Sequence, residues 1–284
     1  LQHKHIQLFN TNQKKFYWFS NPSFKWLSFN INFIETMKAI EKPQVVVYTI
    51  LLILLALIAL IISMSGCVSE RIEGNRDLAT EQRSVLPFSE VVSSGSFRVT
   101  IIRSAETRIQ VKAESNLLPY LVTNANGTTL TLRFTDGYRI HEHYPVEVFV
   151  YTPVLQSVRL SGSGSVACGS FSPERMYVNI SGSGNVTGNF ITDALDAVVS
   201  GSGNLELTGF ATNTHLMVSG SGNINVPQLQ QESCTAFISG SGSIIAFASN
   251  TLNATISGSG NVFYLGSPAI STHITGSGSV KRYQ

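Results

Sequence analysis

Apolar and polar residues alternate along much of the second half of the chain. The pattern is clear in Tyr177-Val-Asn-Ile, His215-Leu-Met-Val and Asn253-Ala-Thr-Ile, where every second residue is aliphatic. A period of two places successive side chains on opposite faces, so each segment is predicted to be a half-buried β-strand. Helix is disfavoured because Gly, Ser, Thr, Asn and Val, which are poor helix formers, are abundant there.

The alternating segments are separated by a short motif that recurs at an even spacing. Seven copies of Ser-Gly-Ser-Gly, with Thr replacing the first Ser in the last copy, begin at Ser161, Ser181, Ser200, Ser219, Ser239, Ser257 and Thr275. Ser-Gly runs are typical of flexible linkers, but a linker would not be flanked by strand patterns at this regularity. One such unit cannot bury its apolar face alone, whereas stacked units can. The sequence therefore predicts an all-β fold, a single-stranded parallel β-helix with 18–20 residues per coil.

The alternation also predicts which side chains face solvent. Counting by twos from Ile180 places Gly182, Gly184 and Val186 on the inner face, where a side chain larger than glycine would crowd the opposite wall. The serines then form two outward ladders, the candidate ligand-binding residues: Ser161, Ser163, Ser181, Ser183, Ser200, Ser202, Ser219, Ser221, Ser239, Ser241, Ser257 and Ser259. A third outward row contains Asn185, Asn204, Asn223 and Asn261, with Ser165, Ser243 and Ser279 in its gaps.

Residues 85–160 also contain strand patterns but are less regular. Asn126-Gly127 is a tight-turn signal between two alternating segments. No Pro-, Gly- or Ser-rich linker separates this part from the repeats, so we expect one β-helix domain over 85–284. Within it, 85–160 forms an irregular β section and 161–284 holds the repeated coils. The polar residues 67–84 are expected to be a tether.

An apolar run without charge, Val45–Ile62, precedes the domain. It follows a lysine-bearing stretch that begins at Met37, and it is followed by small residues that end in Gly66-Cys67. This order is typical of a secretory signal. Its ending resembles bacterial lipoprotein signals, in which the cysteine becomes the lipidated first residue. We therefore expect a signal peptide over 37–66 and lipidation of Cys67.

An uncleaved membrane anchor is the alternative interpretation of the apolar run. Eighteen apolar residues are just enough to span a bilayer. Both interpretations place the chain after Cys67 outside the cytoplasm. Residues 1–36 begin with Leu and are rich in Phe, Asn, Lys and Trp. Because a signal should begin near the true N-terminus, we expect 1–36 to be translated upstream sequence rather than native protein.

The leader accounts for the apparent basic charge of the chain. The 284 residues have a formal net charge of +2. The first 66 carry six lysines and two acidic residues, so the remaining 218 have 13 basic and 15 acidic residues. Charged residues make up only 13 % of the chain, about half the usual globular share. This composition argues against a charged disordered chain and against a nucleic-acid-binding protein.

Cysteines and titratable residues give little support for catalysis or metal binding. Cys168 and Cys234 fall in coils too far apart for a disulfide, so both are predicted to be free thiols. His141-Glu142-His143 would place two imidazoles on one side of an extended segment, but no third metal ligand is identifiable. We therefore predict no metal site, no cofactor and no catalytic residue.

Several segments in order resemble a known family. They are Leu86-Pro-Phe-Ser-Glu-Val-Val, Phe97-Arg-Val-Thr-Ile, Gly127-Thr-Thr-Leu, Val146-Glu-Val-Phe-Val-Tyr-Thr-Pro-Val-Leu and Leu160-Ser-Gly-Ser-Gly. The series is similar to the family described as "putative auto-transporter adhesin, head GIN domain", which is common in Bacteroidetes envelope proteins. The resemblance covers about 85–280. It implies a right-handed β-helix-like fold and a cell-envelope location, and it supplies no functional residues.

These inferences together predict an outer-membrane lipoprotein, facing either the periplasm or the cell surface. Its polar ladders are expected to bind glycans or proteins through many weak contacts, and its lipid to hold it on the membrane. One alternative is a passive scaffold that self-associates through its coil ends, where strand edges are unpaired. Another is a polysaccharide-active enzyme that uses Asp193, Asp196 and Glu206.

Overall fold

The computed structural model describes residues 43–64 and 70–284. The first range is one helix, α1 (Pro43–Met64), which contains the apolar run of the predicted leader. Counting only residues whose side chains are described, no helix reaches the length and apolar character needed to cross a membrane. Residues 1–36 and Cys67 lie outside the described residues. Upstream translation, signal cleavage and lipidation therefore stay predictions.

The second described range is an all-β unit with 21 strands. The strands are β1 (Glu70–Glu73), β2 (Leu78–Arg83), β3 (Glu90–Ser94), β4 (Arg98–Arg103), β5 (Arg108–Glu114), β6 (Leu121–Asn126), β7 (Thr129–Phe134), β8 (Tyr138–His141), β9 (Glu147–Thr152), β10 (Ser157–Ser161), β11 (Ser165–Phe171), β12 (Arg175–Ile180), β13 (Asn185–Val199), β14 (Asn204–Gly220), β15 (Asn223–Val226), β16 (Leu229–Gly240), β17 (Ser243–Ala248), β18 (Thr251–Gly258), β19 (Asn261–Gly266), β20 (Ala269–Gly276) and β21 (Ser279–Arg282). A short 3₁₀ turn, Leu118–Tyr120, precedes β6.

From β10 onward the chain winds as a solenoid in which each strand pairs in parallel with a strand of the next coil. Asn213 lies beside Ser233, Ser233 beside Thr251 and Thr251 beside Ala269, so partners are 18 to 20 residues apart. The strand residues that precede each Ser-Gly-Ser-Gly motif pair with those that precede the next motif, and together they form one parallel sheet. The strand residues that follow each motif form a second parallel sheet in the same way. This stack of about seven turns confirms the predicted parallel β-helix.

The N-terminal part of the solenoid does not follow chain order. β3 and β4 pair in parallel with β10 and β11 on one side and with β7 and β9 on the other. The coil formed by β7 and β9 therefore lies outside the coil formed by β3 and β4, although it comes later in the sequence. Antiparallel strands extend this end, because β6 pairs with β7, β5 with β9, and β2 with β5. The β6–β7 hairpin contains the predicted turn at Asn126-Gly127.

The coil formed by β3 and β4 carries a further, degenerate copy of the motif, Ser94-Gly95-Ser96-Phe97. Ser94 is the register partner of Ser161, and its hydroxyl accepts a hydrogen bond from Ser161 Oγ at 2.9 Å. Phe97 stands where the other copies have their second glycine. Its ring is buried and lies edge-on to Phe134, with ring centroids 5.1 Å apart. This aromatic substitution hid the copy from the sequence pattern.

The prediction that residues 67–84 form a tether is wrong for most of that segment. β1 pairs in parallel with β8, and β2 pairs in antiparallel with β5. The guanidinium of Arg83 donates hydrogen bonds to the carbonyl oxygens of Leu118 (2.7 Å) and Leu121 (2.5 Å). The polar composition indicated a solvated linker, but it suits exposed edge strands equally well. β1 and β2 accordingly belong to the compact β unit.

The interior of the coils is filled by the aliphatic residues that the alternation placed there. Val178, Ile180 and Val186 are all fully buried. The second glycine of the motif faces inward as predicted, as at Gly184 and Gly203, whereas the first is only half-buried. The reason for glycine is the neighbouring coil rather than the opposite wall. A Cβ at Gly203 would meet the carbonyl oxygen of Gly184 in the preceding coil and Cγ2 of Ile180 at 2.7 Å. Glycine is thus required for the coils to approach each other.

Cys168 and Cys234 are both free, as predicted. Burial raises the pKa of the Cys168 thiol to about 12. Burial also raises the pKa of Cys234 to about 11, although its hydrogen bond with Thr214 acts in the opposite direction. Both thiols are therefore protonated at neutral pH and are poor nucleophiles.

Candidate ligand-binding face

The serine ladders lie on the surface of the solenoid. All twelve serines predicted to point outward are exposed. Their backbones are held by the preceding coil, since the N–H groups of Ser183, Ser202 and Ser221 donate to carbonyl oxygens of motif glycines at 3.0–3.1 Å. Because these hydrogen bonds use main-chain groups only, they fix the backbone of each serine and do not involve its hydroxyl group.

The asparagine row is a hydrogen-bonded ladder. Nδ2 of Asn204 donates to Oδ1 of Asn185, and Nδ2 of Asn223 donates to Oδ1 of Asn204, both at 3.0 Å. The row continues where the backbone N–H of Ser243 donates to Oδ1 of Asn223 at 3.2 Å. Serine also completes the row further on, because Ser279 Oγ donates to Oδ1 of Asn261 at 2.7 Å. The predicted third outward row is therefore a polar line in strand register, and it is hydrogen-bonded in two stretches, from Asn185 to Ser243 and from Asn261 to Ser279.

A shallow depression of about 580 Å³ runs along this ladder. Its wall is lined by the ladder residues Asn185, Asn204, Asn223 and Ser243 and by the next outward row, Thr187, Glu206, Asn225 and Ile245. Glu206 is the one charged residue among those that line it. The depression therefore presents amide and hydroxyl groups beside a small apolar patch at Ile245. Because it is shallow and runs across several coils, its shape suits an extended ligand.

The three carboxylates of the enzyme alternative are not brought together. Asp193 is exposed, Asp196 lies beside Tyr177 and His215 of the neighbouring coils, and Glu206 lines the depression. In residues 43–64 and 70–284, these three do not form a group close enough to share a metal ion. The enzyme alternative therefore gains no support from a shared carboxylate cluster in these residues.

The histidine pair lies beside the first strand of the domain. β1 and β8 pair so that Glu73 is opposite His141, and His143 follows two residues later. The ligand atoms of these three side chains lie within 4.8 Å of one another. Glu73 could not be predicted from the sequence, because no pattern around β1 indicates pairing with a strand so far along the chain.

Glu114 is fully buried beside His143. Its carboxylate accepts hydrogen bonds from the backbone N–H groups of Arg76 (2.6 Å) and His143 (2.8 Å) and lies 3.3 Å from His143 Nδ1. Burial acts to raise the pKa of Glu114, but the hydrogen bonds from His143, Arg76 and Tyr144 together outweigh it and lower the pKa below its ordinary value. The carboxylate is therefore ionised at neutral pH, although it is closed to solvent.

The sequence of residues 87–268 matches the family model described as "putative auto-transporter adhesin, head GIN domain". This match covers more than half of the chain and includes both the out-of-order coils and the repeats. The chain belongs to this family. The GIN domain of this chain extends beyond the matched residues, because β1, β2 and β20–β21 pair with strands inside the match.

Solved structures share the fold of this GIN domain. A crystal structure described as a putative lipid binding protein from Parabacteroides distasonis ATCC 8503 is 27 % identical, has a TM-score of 0.65 and covers 76 % of this chain and 100 % of its own. A putative adhesin from Bacteroides fragilis NCTC 9343 is 22 % identical, with a TM-score of 0.70 and coverage of 75 % and 100 %. One from Parabacteroides merdae ATCC 43184 is 21 % identical, with a TM-score of 0.63 and coverage of 76 % and 100 %. No curated protein sequence matches the chain.

Proposed function

We propose that this GIN-domain protein is a cell-envelope adhesin that binds glycans or surface proteins through its Ser and Asn ladders. The main observation in support of the proposal is the row of asparagines that lines the depression, Asn185, Asn204 and Asn223. An Asn amide has two N–H groups and two acceptor sites, and the bonds along the ladder use one of each at Asn204. The remaining groups recur from coil to coil at a strand spacing of about 4.8 Å.

The chemistry of the depression favours an uncharged, hydroxyl-rich ligand. Each neutral hydrogen bond contributes only about 0.5–1.5 kcal/mol net, so useful affinity requires many of them along the solenoid. With Glu206 as the one charged lining residue, a polyanionic ligand has no cation to meet there. A neutral glycan chain supplies repeated hydroxyl groups and fits this surface best.

The family description and the leader support a place in the cell envelope. In this proposal the segment 37–66 is cleaved as a signal peptide and Cys67 carries the lipid that holds the domain on the outer membrane. Intact-mass analysis of the mature chain tests this, since it should begin at Cys67 with added acyl mass, and Cys67→Ser should release it from the membrane fraction. Protease treatment of intact cells then separates surface exposure, which an adhesin requires, from a periplasmic location.

Binding is tested on an array of neutral glycans with the full chain in detergent. Asn204→Arg together with Asn223→Arg should abolish binding, because two bulky charges would fill the depression. Thr235→Arg with Asn253→Arg is the matched control, since these neighbours are exposed on the strands before the motif. Binding that survives the first double variant, or is lost equally in both, would contradict the proposed face.

Self-association through the end of the solenoid is a second candidate function. β20 pairs with β18 and is exposed along its whole length, including Ile270 (43 %) and Ile274 (41 %). A strand edge with exposed aliphatic side chains can pair with the same edge of another copy. Light scattering should then show a dimer that Ile270→Lys with Ile274→Lys converts to a monomer. A monomeric unsubstituted chain would exclude the scaffold function.

A further inference from the structure

The group formed by Glu73, His141 and His143 joins two strands at the start of the domain. The parallel pairing of β1 with β8 places Glu73 and His141 side by side, and Gly74 N–H donates to the carbonyl oxygen of His141 at 3.0 Å. Nδ2 of Asn116 donates to the carbonyl oxygen of Glu73 at 2.8 Å. The backbone of Glu73 is therefore held from both sides, and its side chain faces the two imidazoles.

The distances in this group are close to those of a metal site. Ligands about 2.0–2.2 Å from a tetrahedral Zn²⁺ lie about 3.3–3.6 Å from one another. Glu73 Oε1 and His143 Nε2 are 3.6 Å apart, and all three ligand atoms lie within 4.8 Å of one another. Glu73 and His141 are exposed, so small side-chain rotations can close the remaining gap.

Glu114 orients His143 in the way that metal sites require. Its carboxylate lies 3.3 Å from Nδ1 of His143, where it can accept a hydrogen bond from that nitrogen. Nε2 is the ring nitrogen that faces Glu73, and it is the atom that would bind the metal. A histidine whose one ring nitrogen is hydrogen-bonded to a carboxylate and whose other ring nitrogen binds the metal is the usual arrangement at zinc.

The position of Glu114 is itself fixed by the chain around it. The loop after β1 folds over its carboxylate, and Arg76 adopts a left-handed φ of 63° that lets its N–H donate at 2.6 Å. Gly74 packs so closely that a Cβ there would overlap the carboxylate of Glu114. The site is thus pre-organised from the buried side, as a binding site needs to be.

We propose that Glu73, His141 and His143 bind a Zn²⁺ ion, with Glu114 as the positioning residue for His143. Two imidazole nitrogens and one carboxylate oxygen are a common zinc ligand set, and the exposed side leaves a fourth position for water or a ligand atom. The charges agree with this assignment, because two carboxylates flank a pair of imidazoles whose ring centroids are 5.5 Å apart. One divalent cation bound among these groups would compensate the negative charge of the carboxylates. The bound ion would fasten β1, the first strand of the domain, to β8.

Metal binding is measured with the full chain in detergent, titrated with Zn²⁺ against a chromophoric chelator. Cys67, His3 and His5 are replaced in the background, because these residues outside the described range could also take up the ion. We expect one equivalent of Zn²⁺, and at least 10-fold weaker binding for Glu73→Gln, His141→Ala and His143→Ala. Glu70→Gln and His273→Ala are the matched controls on β1 and on an exposed strand, and they should bind as the background does.

The role of Glu114 has its own readout. Co²⁺ in place of Zn²⁺ reports tetrahedral coordination by its visible absorption, and Glu114→Gln should change that spectrum and weaken binding about 10–100-fold. His141 is exposed, so His141→Ala tests the site without risk to the fold. An absence of stoichiometric binding, or binding that His141→Ala and Glu73→Gln leave unchanged, would overturn the proposal and reduce the group to a Glu73–His143 ion pair.

Discussion

Asn204 Nδ2 donates a hydrogen bond to Asn185 Oδ1 at 3.0 Å, and this bond crosses from one coil of the solenoid to the next. Asn223 repeats the same contact toward Asn204. The ladder therefore joins neighbouring coils as well as presenting polar groups to solvent. A substitution in it changes both coil stability and the candidate binding face, and the two effects need separate measurements.

Asn204→Ala should destabilise the solenoid moderately. The substitution removes two side-chain hydrogen bonds, which contribute about 1–2 kcal/mol together at an exposed site. The urea midpoint, followed by circular dichroism, should fall accordingly. Ser202→Ala is the control, because its exposed hydroxyl lies two residues away in the same motif and its loss should change stability by less than about 0.5 kcal/mol. Equal midpoints for both variants would show that the ladder adds nothing to stability.

The local pattern was enough to predict the repeated coils. Alternation around Ile180 predicted which side chains are buried, and the even spacing of the motifs predicted parallel stacking, because both depend only on neighbouring residues and on a constant period. The outward position of the serines followed from the same count. The close approach of Gly203 to Gly184 was not foreseen, because it depends on the distance between coils rather than on the alternation.

Gly203→Ala should be much more damaging than an exposed substitution. Its Cβ would overlap the carbonyl oxygen of Gly184 and lie 2.7 Å from Cγ2 of Ile180, so the coils would have to separate locally. We expect a loss of about 2–3 kcal/mol or more. Thermal unfolding of the purified chain measures this loss.

Gly169→Ala provides the matched control for that experiment. It is also a glycine of the solenoid, but a Cβ there would be 3.4 Å from the carbonyl oxygen of Ile101, which is ordinary contact. The melting temperature of this variant should stay within a few degrees of the unsubstituted chain, since a surface change is usually worth less than about 0.5 kcal/mol. A Gly203→Ala chain as stable as the Gly169→Ala chain would refute close coil packing as the reason for the motif glycines.

The first part of the domain could not be derived from the sequence. β7 and β9 form the coil outside β3 and β4, and this order requires long-range pairings that carry no period. The same limit applies to the candidate metal site, because Glu73 meets His141 only through the pairing of β1 with β8. Residues 67–84 were predicted to be a tether for the same reason, because their polar composition does not indicate that β1 and β2 pair with distant strands.

Arg83→Met should loosen the strand that the tether prediction overlooked. The guanidinium of Arg83 donates to the carbonyl oxygens of Leu118 and Leu121 and to the hydroxyl of Thr123. Charged hydrogen bonds of this kind contribute about 1.5–3 kcal/mol each, and Met keeps the apolar stem. Amide hydrogen exchange of β2 should become faster, whereas exchange in β16 stays unchanged. Protected β2 amides in this variant would mean that the β2–β5 pairing alone holds the strand.

The thiol of Cys234 should show how burial links ionisation to stability. Burial raises its pKa to about 11, whereas the unfolded chain has a thiol pKa of about 8.5. The unfolded chain therefore loses its thiol proton at a lower pH than the folded chain. The contribution of the neutral thiol to the free energy of unfolding is complete below about pH 8.5 and is lost as pH rises through about 11.

In a background with Cys67→Ser and Cys168→Ala, a thiol reagent at pH 7.5 should label the folded Cys234 at least about 100-fold more slowly than the unfolded one. Urea midpoints between pH 7.5 and 10.5 should fall more steeply than in the same background with Cys234→Ala. Equal slopes, or rapid labelling of the folded chain, would show that the thiol is reached by solvent.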